Sequence, residues 1–301
     1  MIKKIVFALL AMTLLLLFPA PLFAQVTYSV APSKLEISAA RGDTVAKTVQ
    51  VINKEPTPLK IRVYAMDYRI NPDNTFVFSK PGNETYSAAT WIELQKTEFT
   101  VPAKSAQAIP FTLKIPANAE VGGHYAVIFF ESAQKVKKEG LLRGRIGSLI
   151  MVTVKGGVAR QGIIAGFKVV RPVFGRNVGT EVVFANDGNV HLTTRGKIDF
   201  FNSSGRKVDS EDLGEITVLP KTKRIMKVDW KDAPLFGRFK AVANVYYGSD
   251  LKTFDVKKRA TRSFLIFPWV YFSVLVAAFL LLYLLKILRK RSRSVSEASG
   301  Q

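Results

Sequence analysis

Apolar residues between positions 25 and 263 mostly alternate with polar ones, and no long segment shows the 3.6-residue period of an amphipathic helix. Leu35, Ile37 and Ala39, for example, alternate with Lys34, Glu36 and Ser38. Alternation that is interrupted by turn residues is typical of strands with one face in a core. The other predicted strands are 49–53, 59–65, 109–115, 125–130, 146–154, 181–185, 197–201, 223–230, 239–247 and 252–256.

Three landmarks recur in the same order in the two halves of this region. A strand ends at an asparagine, a proline precedes a polar turn and a long strand, and a Gly-x-aromatic triplet opens a late strand. The pairs are Asn53 and Asn186, Pro102 and Pro220, and Gly123-His124-Tyr125 and Gly237-Arg238-Phe239. This weak internal similarity predicts an all-β fold of two tandem immunoglobulin-like sandwiches, residues 25–157 and 158–262.

The stretch from Gln134 to Arg145 differs from its surroundings. It has no clean period and carries five cations against one acid. We therefore predict an exposed loop that joins two late strands. A solvated hairpin tip and a contact loop for a protein partner or an acidic polymer are both compatible with this composition.

Residues 1–24 have the composition of a secretory signal peptide. Lys3 and Lys4 precede an apolar run from Ile5 to Phe18, and Ala24-Gln25 is a plausible cleavage point. The alternative is an uncleaved anchor helix. Cleavage is the better prediction because the apolar run is short for a segment that crosses a membrane.

A second apolar segment, from Phe264 to Leu285, contains no charged residue. It is long enough to cross about 30 Å of hydrocarbon at about 1.5 Å per residue. We predict a transmembrane helix over 263–286 and a cytoplasmic tail over 287–301. The positive-inside rule orients it through the cations that follow, which are Lys286, Arg289, Lys290, Arg291 and Arg293. The predicted protein crosses the membrane once, with its N-terminal region outside and its C terminus in the cytoplasm.

The predicted topology changes which partners the formal net charge of +21 indicates. As a bulk property it would suggest nucleic acid, but most of the charge lies in the predicted external region. Anionic polymers and lipid headgroups therefore replace DNA and RNA as expected partners. The cations that immediately precede the apolar segment are expected just above the bilayer: Lys257, Lys258, Arg259 and Arg262.

We predict no catalytic residue, metal site or cofactor. The chain has no cysteine, which excludes a disulfide scaffold and a thiol nucleophile. Its two histidines, His124 and His191, leave little material for a metal site or a Ser-His-Asp triad, and both are expected to be packed in the core. Trp91 is likewise expected in the core. The sequence does not identify the ligand-binding residues.

Several segments resemble a bacterial cell-surface family. These segments are Val30 to Ile37, Gly42-Asp43-Thr44, Val49 to Asn53, Phe99 to Ser105, Phe111 to Pro116 and Gly122 to Ile128. Together they resemble the chaperone-like, peptidoglycan-binding domain of the WxL-interacting protein family over residues 30–130. The resemblance implies that the first sandwich attaches to peptidoglycan and the second to a surface protein, and it implies no catalytic residues.

Two functional hypotheses follow. The leading one is a non-enzymatic, membrane-anchored cell-envelope protein whose sandwiches bind an anionic wall polymer such as peptidoglycan, a secreted surface protein, or both. The alternative is an assembly module of the pilus-chaperone type, in which an exposed sheet edge accepts a strand from a secreted client. An envelope hydrolase is disfavoured because no catalytic constellation is evident.

Overall fold

The computed structural model describes residues 28–136, 140–170, 176–248 and 253–298, with side chains described outside 133–143 and 288–298. The described chain is almost entirely β-structure with one long C-terminal helix, α1 (Trp269–Ala298), so the predicted all-β class is confirmed. The strands are β1 (Tyr28–Ala31), β2 (Lys34–Ala39), β3 (Thr44–Asn53), β4 (Leu59–Ile70), β5 (Phe76–Ser79), β6 (Ile92–Leu94), β7 (Glu98–Val101), β8 (Ala106–Lys114), β9 (Gly122–Val136), β10 (Gly140–Val154), β11 (Gly162–Val170), β12 (Val178–Asn186), β13 (Leu192–Asn202), β14 (Lys207–Val218), β15 (Lys223–Trp230), β16 (Gly237–Tyr247) and β17 (Val256–Ile266).

Strands β1 to β10 form a first sandwich of two sheets. One sheet has the order β1-β3-β8-β6, and the other has the order β2-β10-β9-β4-β5, with β7 also paired to β4. A single 3-10 turn, Ala89–Trp91, lies between β5 and β6. The inward residues of the two sheets, such as Val51, Val63 and Phe130, are fully buried and form one core.

Strands β11 to β17 form a second sandwich. The sheet β11-β12-β15 packs on the sheet β14-β13-β16-β17. Trp230 lies in its core, stacked on Phe200 at 4.3 Å and edge-on to Phe239 at 5.3 Å between ring centroids. The indole N–H of Trp230 donates to Asp209 at 2.7 Å, so the large ring is buried without an unpaired polar atom.

The repeated asparagine has a structural role in the first sandwich. Asn53 is buried at the end of β3, and its amide nitrogen donates to the carbonyls of Thr57 at 2.9 Å and Pro102 at 3.0 Å. Its side-chain oxygen accepts the Glu55 N–H at 2.9 Å. One side chain thus satisfies backbone groups from two separate turns, which fixes the corner of the sandwich.

Asn186 makes the same kind of corner at the end of β12. Its amide nitrogen donates to the carbonyls of Val190 at 2.7 Å and Val218 at 2.9 Å, and its oxygen accepts the Gly188 N–H at 3.0 Å. The sequence landmark shared by the two halves is therefore a shared hydrogen-bonding device.

The two sandwiches contact each other directly. The Gly123 N–H donates to the Asn189 carbonyl at 2.8 Å, and the Ile225 N–H donates to the Pro72 carbonyl at 2.9 Å. Leu219 of the second sandwich is buried in an apolar cluster that otherwise belongs to the outer face of the first. Backbone hydrogen bonds at two separate points, with an apolar contact between them, hold the pair in one arrangement.

The helix begins later than the sequence predicted. Strand β17 extends to Ile266 and α1 starts at Trp269, so the predicted start at 263 was wrong and 263–266 belong to the second sandwich. The reason is that Phe264 packs against Phe239 at 6.0 Å between ring centroids, in the sandwich core. The part of α1 that is long and apolar enough to cross a membrane is Trp269–Ile287, the one such helix in the described residues.

Helix α1 continues to Ala298, so the segment that follows the apolar part lies on the same helix. Lys286 is exposed there, whereas the side chains of Arg289, Lys290, Arg291 and Arg293 lie outside the described part. The predicted signal peptide and its Ala24-Gln25 cleavage point fall outside the described residues, so they remain predictions.

The cations expected just above the bilayer are distributed along a strand instead. The sequence predicted a strand that ends at 256, but β17 begins at Val256. Lys257, Lys258 and Arg259 therefore lie on β17. At about 3.3 Å per residue, Lys257 is about 30 Å along β17 from Ile266. Lys257 is therefore separated from the start of α1 by most of β17, and the contact of these cations with the bilayer surface stays a prediction.

Candidate functional site: the open edge of strand β10

Strand β10 is covered along only part of one side. It pairs with β9 over its whole length, from Gly140 opposite Val136 to Val154 opposite Gly122. On its other side it pairs with β2 only over Leu149–Val154. In the described parts of the chain, no strand pairs with this side of Gly140–Ser148, which we call the open edge.

The path of the chain explains where the open edge begins. Strand β1 belongs to the opposite sheet, and the chain crosses to β10 at Pro32 and Ser33. The Ser148 hydroxyl donates to the Pro32 carbonyl at 2.8 Å, and the Leu149 N–H donates to the Ser33 carbonyl at 2.9 Å. Pairing with β2 starts at this anchor, so the residues before it have their second side uncovered.

The backbone groups that face the open edge follow from the strand period. The Leu149 N–H points toward the β2 side, and alternate residues of a strand direct their backbone groups the same way. Arg145 and Gly147 therefore present their N–H and C=O groups at the open edge. A strand placed in continuation of β2 would meet these groups first.

A packed aromatic cluster lies beside the open edge, on the outer face of the sheet. The rings of Phe78 and Phe129 meet edge to face at 4.8 Å, and the Arg145 guanidinium lies 4.5 Å from the Phe129 centroid. A Cβ atom added at Gly147 would lie 2.6 Å from a methyl group of Val127 and 3.1 Å from the Phe129 ring. Position 147 therefore requires glycine for this packing. The open edge has no side chain at this position, next to Phe129.

This site was missed by sequence reasoning. The predicted loop from Gln134 to Arg145 is wrong at 134–136 and 140–145, which extend β9 and β10 as a long hairpin. The remaining positions, 137–139, lie outside the described residues. Glycines and charges interrupt the alternation there, so only the pairing with β9 identifies these residues as strand.

His124 is a packed histidine, as predicted. It is 6% exposed, and its ring nitrogens lie 3.3 Å from the Ser87 carbonyl and 3.0 Å from the Glu120 carbonyl. Its ring is 4.4 Å from that of Trp91, which packs against the core of the first sandwich as expected. Both ring nitrogens of His124 are therefore within hydrogen-bond distance of backbone carbonyls.

His191 is also packed, but at the contact between the sandwiches. Its Nδ1 lies 3.4 Å from the Tyr125 hydroxyl, and its Nε2 is buried without a hydrogen-bond partner among the described residues. Burial lowers the pKa of His191 to about 4, with Lys34 and Arg160 acting in the same direction and Glu36 opposing them. The imidazole is therefore neutral at physiological pH. Within the described ranges, no group of three or more His, Asp or Glu side chains converges as a metal site would require.

A second surface feature is a basic outer face on the sheet β14-β13-β16-β17. The exposed cations of its central and edge strands are Arg195, Lys197, Lys240, Lys257 and Arg259. The register brings them together, because Asn244 lies between Lys197 and Arg259 while Tyr246 lies between Arg195 and Lys257. We call this surface the basic face.

Three acids lie on the same face: Asp212 and Glu215 are exposed on β14 opposite Lys197 and Arg195, and Asp199 lies among the cations. Asp199 is hydrogen-bonded to Ser210 at 2.8 Å and to Asn244 at 3.2 Å, and Lys207 lies 2.5 Å from its carboxylate. Burial alone would raise the pKa of Asp199, but the hydrogen bonds from Lys207 and Ser210 outweigh it and lower the pKa. Asp199 is therefore ionised and neutralises only part of the local positive charge.

Comparison with known proteins finds similarity in structure alone. No family profile and no curated protein matches the chain. A chain of a chaperone–tip adhesin complex of CFA/I fimbriae is similar over 78% of this chain and 98% of its own, with a TM-score of 0.44 and 12% identity. The class 5 fimbriae chaperone CfaA covers 80% and 99% (TM-score 0.43, 12% identity), and the Pseudomonas aeruginosa CupB2 chaperone covers 79% and 100% (0.41, 12%). The sheets of the chain itself confirm the predicted β-sandwich fold, and no match supports the WxL-interacting family.

Proposed function

We propose that this chain is a non-enzymatic, membrane-anchored envelope protein that captures an extended segment of a secreted client at the open edge of β10. The observation that carries the proposal is the length of uncovered strand, Gly140–Ser148, beside a sheet that is otherwise paired there. In this proposal α1 anchors the sandwiches outside the membrane, and its basic end, beginning at Lys286, lies in the cytoplasm.

The open edge has the chemistry that strand addition requires. Unpaired N–H and C=O groups on an edge strand template a further strand, and each ladder hydrogen bond contributes about 1 kcal/mol. The backbone groups of Arg145 and Gly147 supply both donors and acceptors.

Site-specific photo-crosslinking tests this proposal. A benzoylphenylalanine placed at Arg145 in the full chain, expressed in its own cells, is expected to form adducts with an extended segment of a secreted protein. Arg62 is the matched control position. It is an exposed arginine of the same sheet, but β7 and β9 cover both sides of its strand. Mass spectrometry of the adducts identifies the segment, and equal adduct yields at the two positions would contradict edge capture.

Two substitutions at Arg145 separate the backbone from the side chain. Proline removes the edge N–H and obstructs pairing, while an edge strand tolerates it in the fold. Valine retains the N–H and the strand preference but removes the guanidinium. With the crosslinker moved to Ser33, an exposed residue beside the start of the open edge, we expect Arg145→Pro to reduce the adduct at least about tenfold and Arg145→Val to leave most of it. Loss in both variants would show that the guanidinium, not the edge, binds the client.

The basic face supports a second candidate function, the binding of an anionic wall polymer. Its cations are concentrated on one sheet and are accompanied by aromatic rings, since the Arg195 guanidinium lies 4.1 Å from the Phe254 centroid. Concentrated positive charge attracts polyanions, and the attraction weakens as salt screens it. This assigns the polymer to the second sandwich, whereas the family resemblance implied the first.

Charge reversal tests polymer binding. We expect Lys197→Glu with Arg259→Glu to weaken sedimentation of the full chain with purified cell wall by roughly tenfold at low salt. The control is Lys47→Glu with Lys60→Glu, which reverses two exposed lysines of the first sandwich and is expected to change little. Equal losses would indicate a net-charge effect, and unchanged binding in both would exclude the basic face.

A further inference from the structure

The end of the second sandwich that adjoins α1 has an unusual surface. Gly237 pairs with Ile266, so the loop 231–236, between β15 and β16, lies beside the residues that lead into the helix. The ring of Phe267 packs on Trp269, the first residue of α1, at 4.5 Å between centroids. This loop is therefore adjacent to the start of the membrane-length segment.

Exposed apolar side chains are concentrated at this end. Seven large apolar residues outside α1 are more than a third exposed in the described chain, and two of them, Phe76 and Ile163, lie elsewhere. The other five lie toward the end of the second sandwich that adjoins α1: Val170, Val208, Leu235, Phe236 and Leu265. Such clustering marks an interaction surface, because isolated exposed apolar residues would be scattered.

Leu235 and Phe236 are the most exposed members of this group, at 54% and 75%. They are consecutive at the tip of the loop, and Gly237 follows them with φ +139. Below them, the loop is tied to the segment that precedes β12, because Arg176 donates to the Ala233 carbonyl at 2.9 Å. Two apolar side chains are thus presented outward on a braced loop, rather than folded back onto the core.

Basic side chains surround this apolar tip. The exposed cations at this end are Arg176, Arg206, Lys207, Lys231, Arg238, Lys240 and Arg262. The exposed acids there are Asp209, Asp229 and Asp232. An apolar tip within an excess of cations matches the boundary between acyl chains and phosphate headgroups.

We infer that this end of the second sandwich is a lipid-contacting surface, in which Leu235 and Phe236 insert into the outer leaflet while the surrounding cations bind headgroup phosphates. This inference rests on the proposed membrane anchoring by α1. Continuity with the helix favours lipid over a protein partner, because the bilayer surface necessarily lies next to Trp269. The sandwich then has two attachments to the membrane, which limits its rotation about the short Phe267-Pro268 connection.

The absence of cysteine allows a direct test on the full chain. Single cysteines at Phe236, Ile163 and Phe279 are labelled with the environment-sensitive dye NBD, and each protein is reconstituted in phosphatidylcholine–phosphatidylglycerol vesicles. Phe279 lies within the apolar part of α1. Ile163 is an exposed apolar residue at the opposite end of the same sandwich, since its neighbour Gly162 pairs with Asn186. Lipids that carry a nitroxide near the headgroup end of the acyl chain are the quencher for the labels at 236 and 163. Because Phe279 is about 15 Å along the helix from Trp269, lipids with the nitroxide near the end of the acyl chain are the quencher for the label at 279.

We expect the quencher lipid to reduce the emission of the label at 236 at least twofold and to leave the label at 163 unchanged. A label at Leu235→Cys should behave like the one at 236. If the label at 279 is quenched and the label at 236 is not, the lipid surface is refuted while the anchor stands. If the label at 279 is not quenched, the anchor itself is refuted and the inference falls with it. A label at 236 that is protected from both lipid and aqueous quenchers would indicate a protein contact and would also overturn the inference.

Discussion

Replacing Gly122 by alanine is expected to lower the free energy of unfolding by about 3 kcal/mol or more. Gly122 opens β9 with φ +124, a conformation that residues with a Cβ rarely adopt. A Cβ atom there would also collide with the backbone carbonyl oxygen of Asn189 on the other sandwich and lie 3.4 Å from its carbonyl carbon. The carbonyl cannot retreat without loss of its hydrogen bond from the Gly123 N–H at 2.8 Å. Backbone strain and the loss of a contact between the sandwiches therefore act together.

Gly42→Ala is the matched control for this prediction. Gly42 also has a positive φ, +80, but no atom lies within 4 Å of an added Cβ. Its substitution therefore reports backbone strain alone, about 1 kcal/mol. Denaturant unfolding of the full chain in detergent micelles measures both variants. If the two substitutions cost the same, the contact at Asn189 contributes nothing to stability and the arrangement of the sandwiches must depend on the other contacts.

Acidification from pH 7 to pH 4 is expected to cost the protein about 3 kcal/mol through His191 alone. In the folded protein, burial lowers the pKa of His191 to about 4, whereas in the unfolded chain it has its ordinary value near 6.5. Between these two values the unfolded state binds more protons than the folded state. The free energy of unfolding therefore falls as the pH falls through this window, and the His191 contribution is constant below about pH 4.

His191→Gln isolates this effect from the titration of carboxylates. Glutamine retains a polar group near the Tyr125 hydroxyl but does not gain a proton in this range. The difference between the free energies of unfolding of wild type and variant, measured in micelles at half-unit pH steps, is expected to change between pH 6.5 and 4. A difference that stays constant over that interval would mean that His191 is hydrated or protonated in the folded protein.

The strands that the sequence predicted best are those buried on both faces. In β9, Ala126, Ile128 and Phe130 enter the core of the first sandwich, while Val127 and Phe129 belong to the cluster on its outer face. The continuous apolar run therefore predicted a central strand correctly. Edge strands were missed, as in β14, whose sequence is mostly charged and whose strand conformation depends on hydrogen bonds with β13.

The candidate site could not be predicted, for a related reason. A strand has an open edge where no other strand pairs with it. The sequence of β10 does not indicate how many of its residues pair with β2. The crossing of the chain at Pro32 decides that extent. Likewise, the apolar segment that starts at Phe264 predicted a membrane helix, but the packing of Phe264 on Phe239 assigns its first residues to the sandwich.

The amino-acid sequence by itself determined the all-β class and the presence of one membrane-length helix, because alternation and apolar length are local properties of a chain. It showed the repeated asparagines Asn53 and Asn186, but their hydrogen bonds to Pro102 and Val218 depend on contacts between distant residues. Only the tertiary structure decided that His191 is buried at the contact between the sandwiches, that β10 has an open edge, and that Leu235 and Phe236 lie beside the start of α1. These three features bring together residues far apart in sequence, and strand pairing and packing, rather than any local pattern, place them in contact.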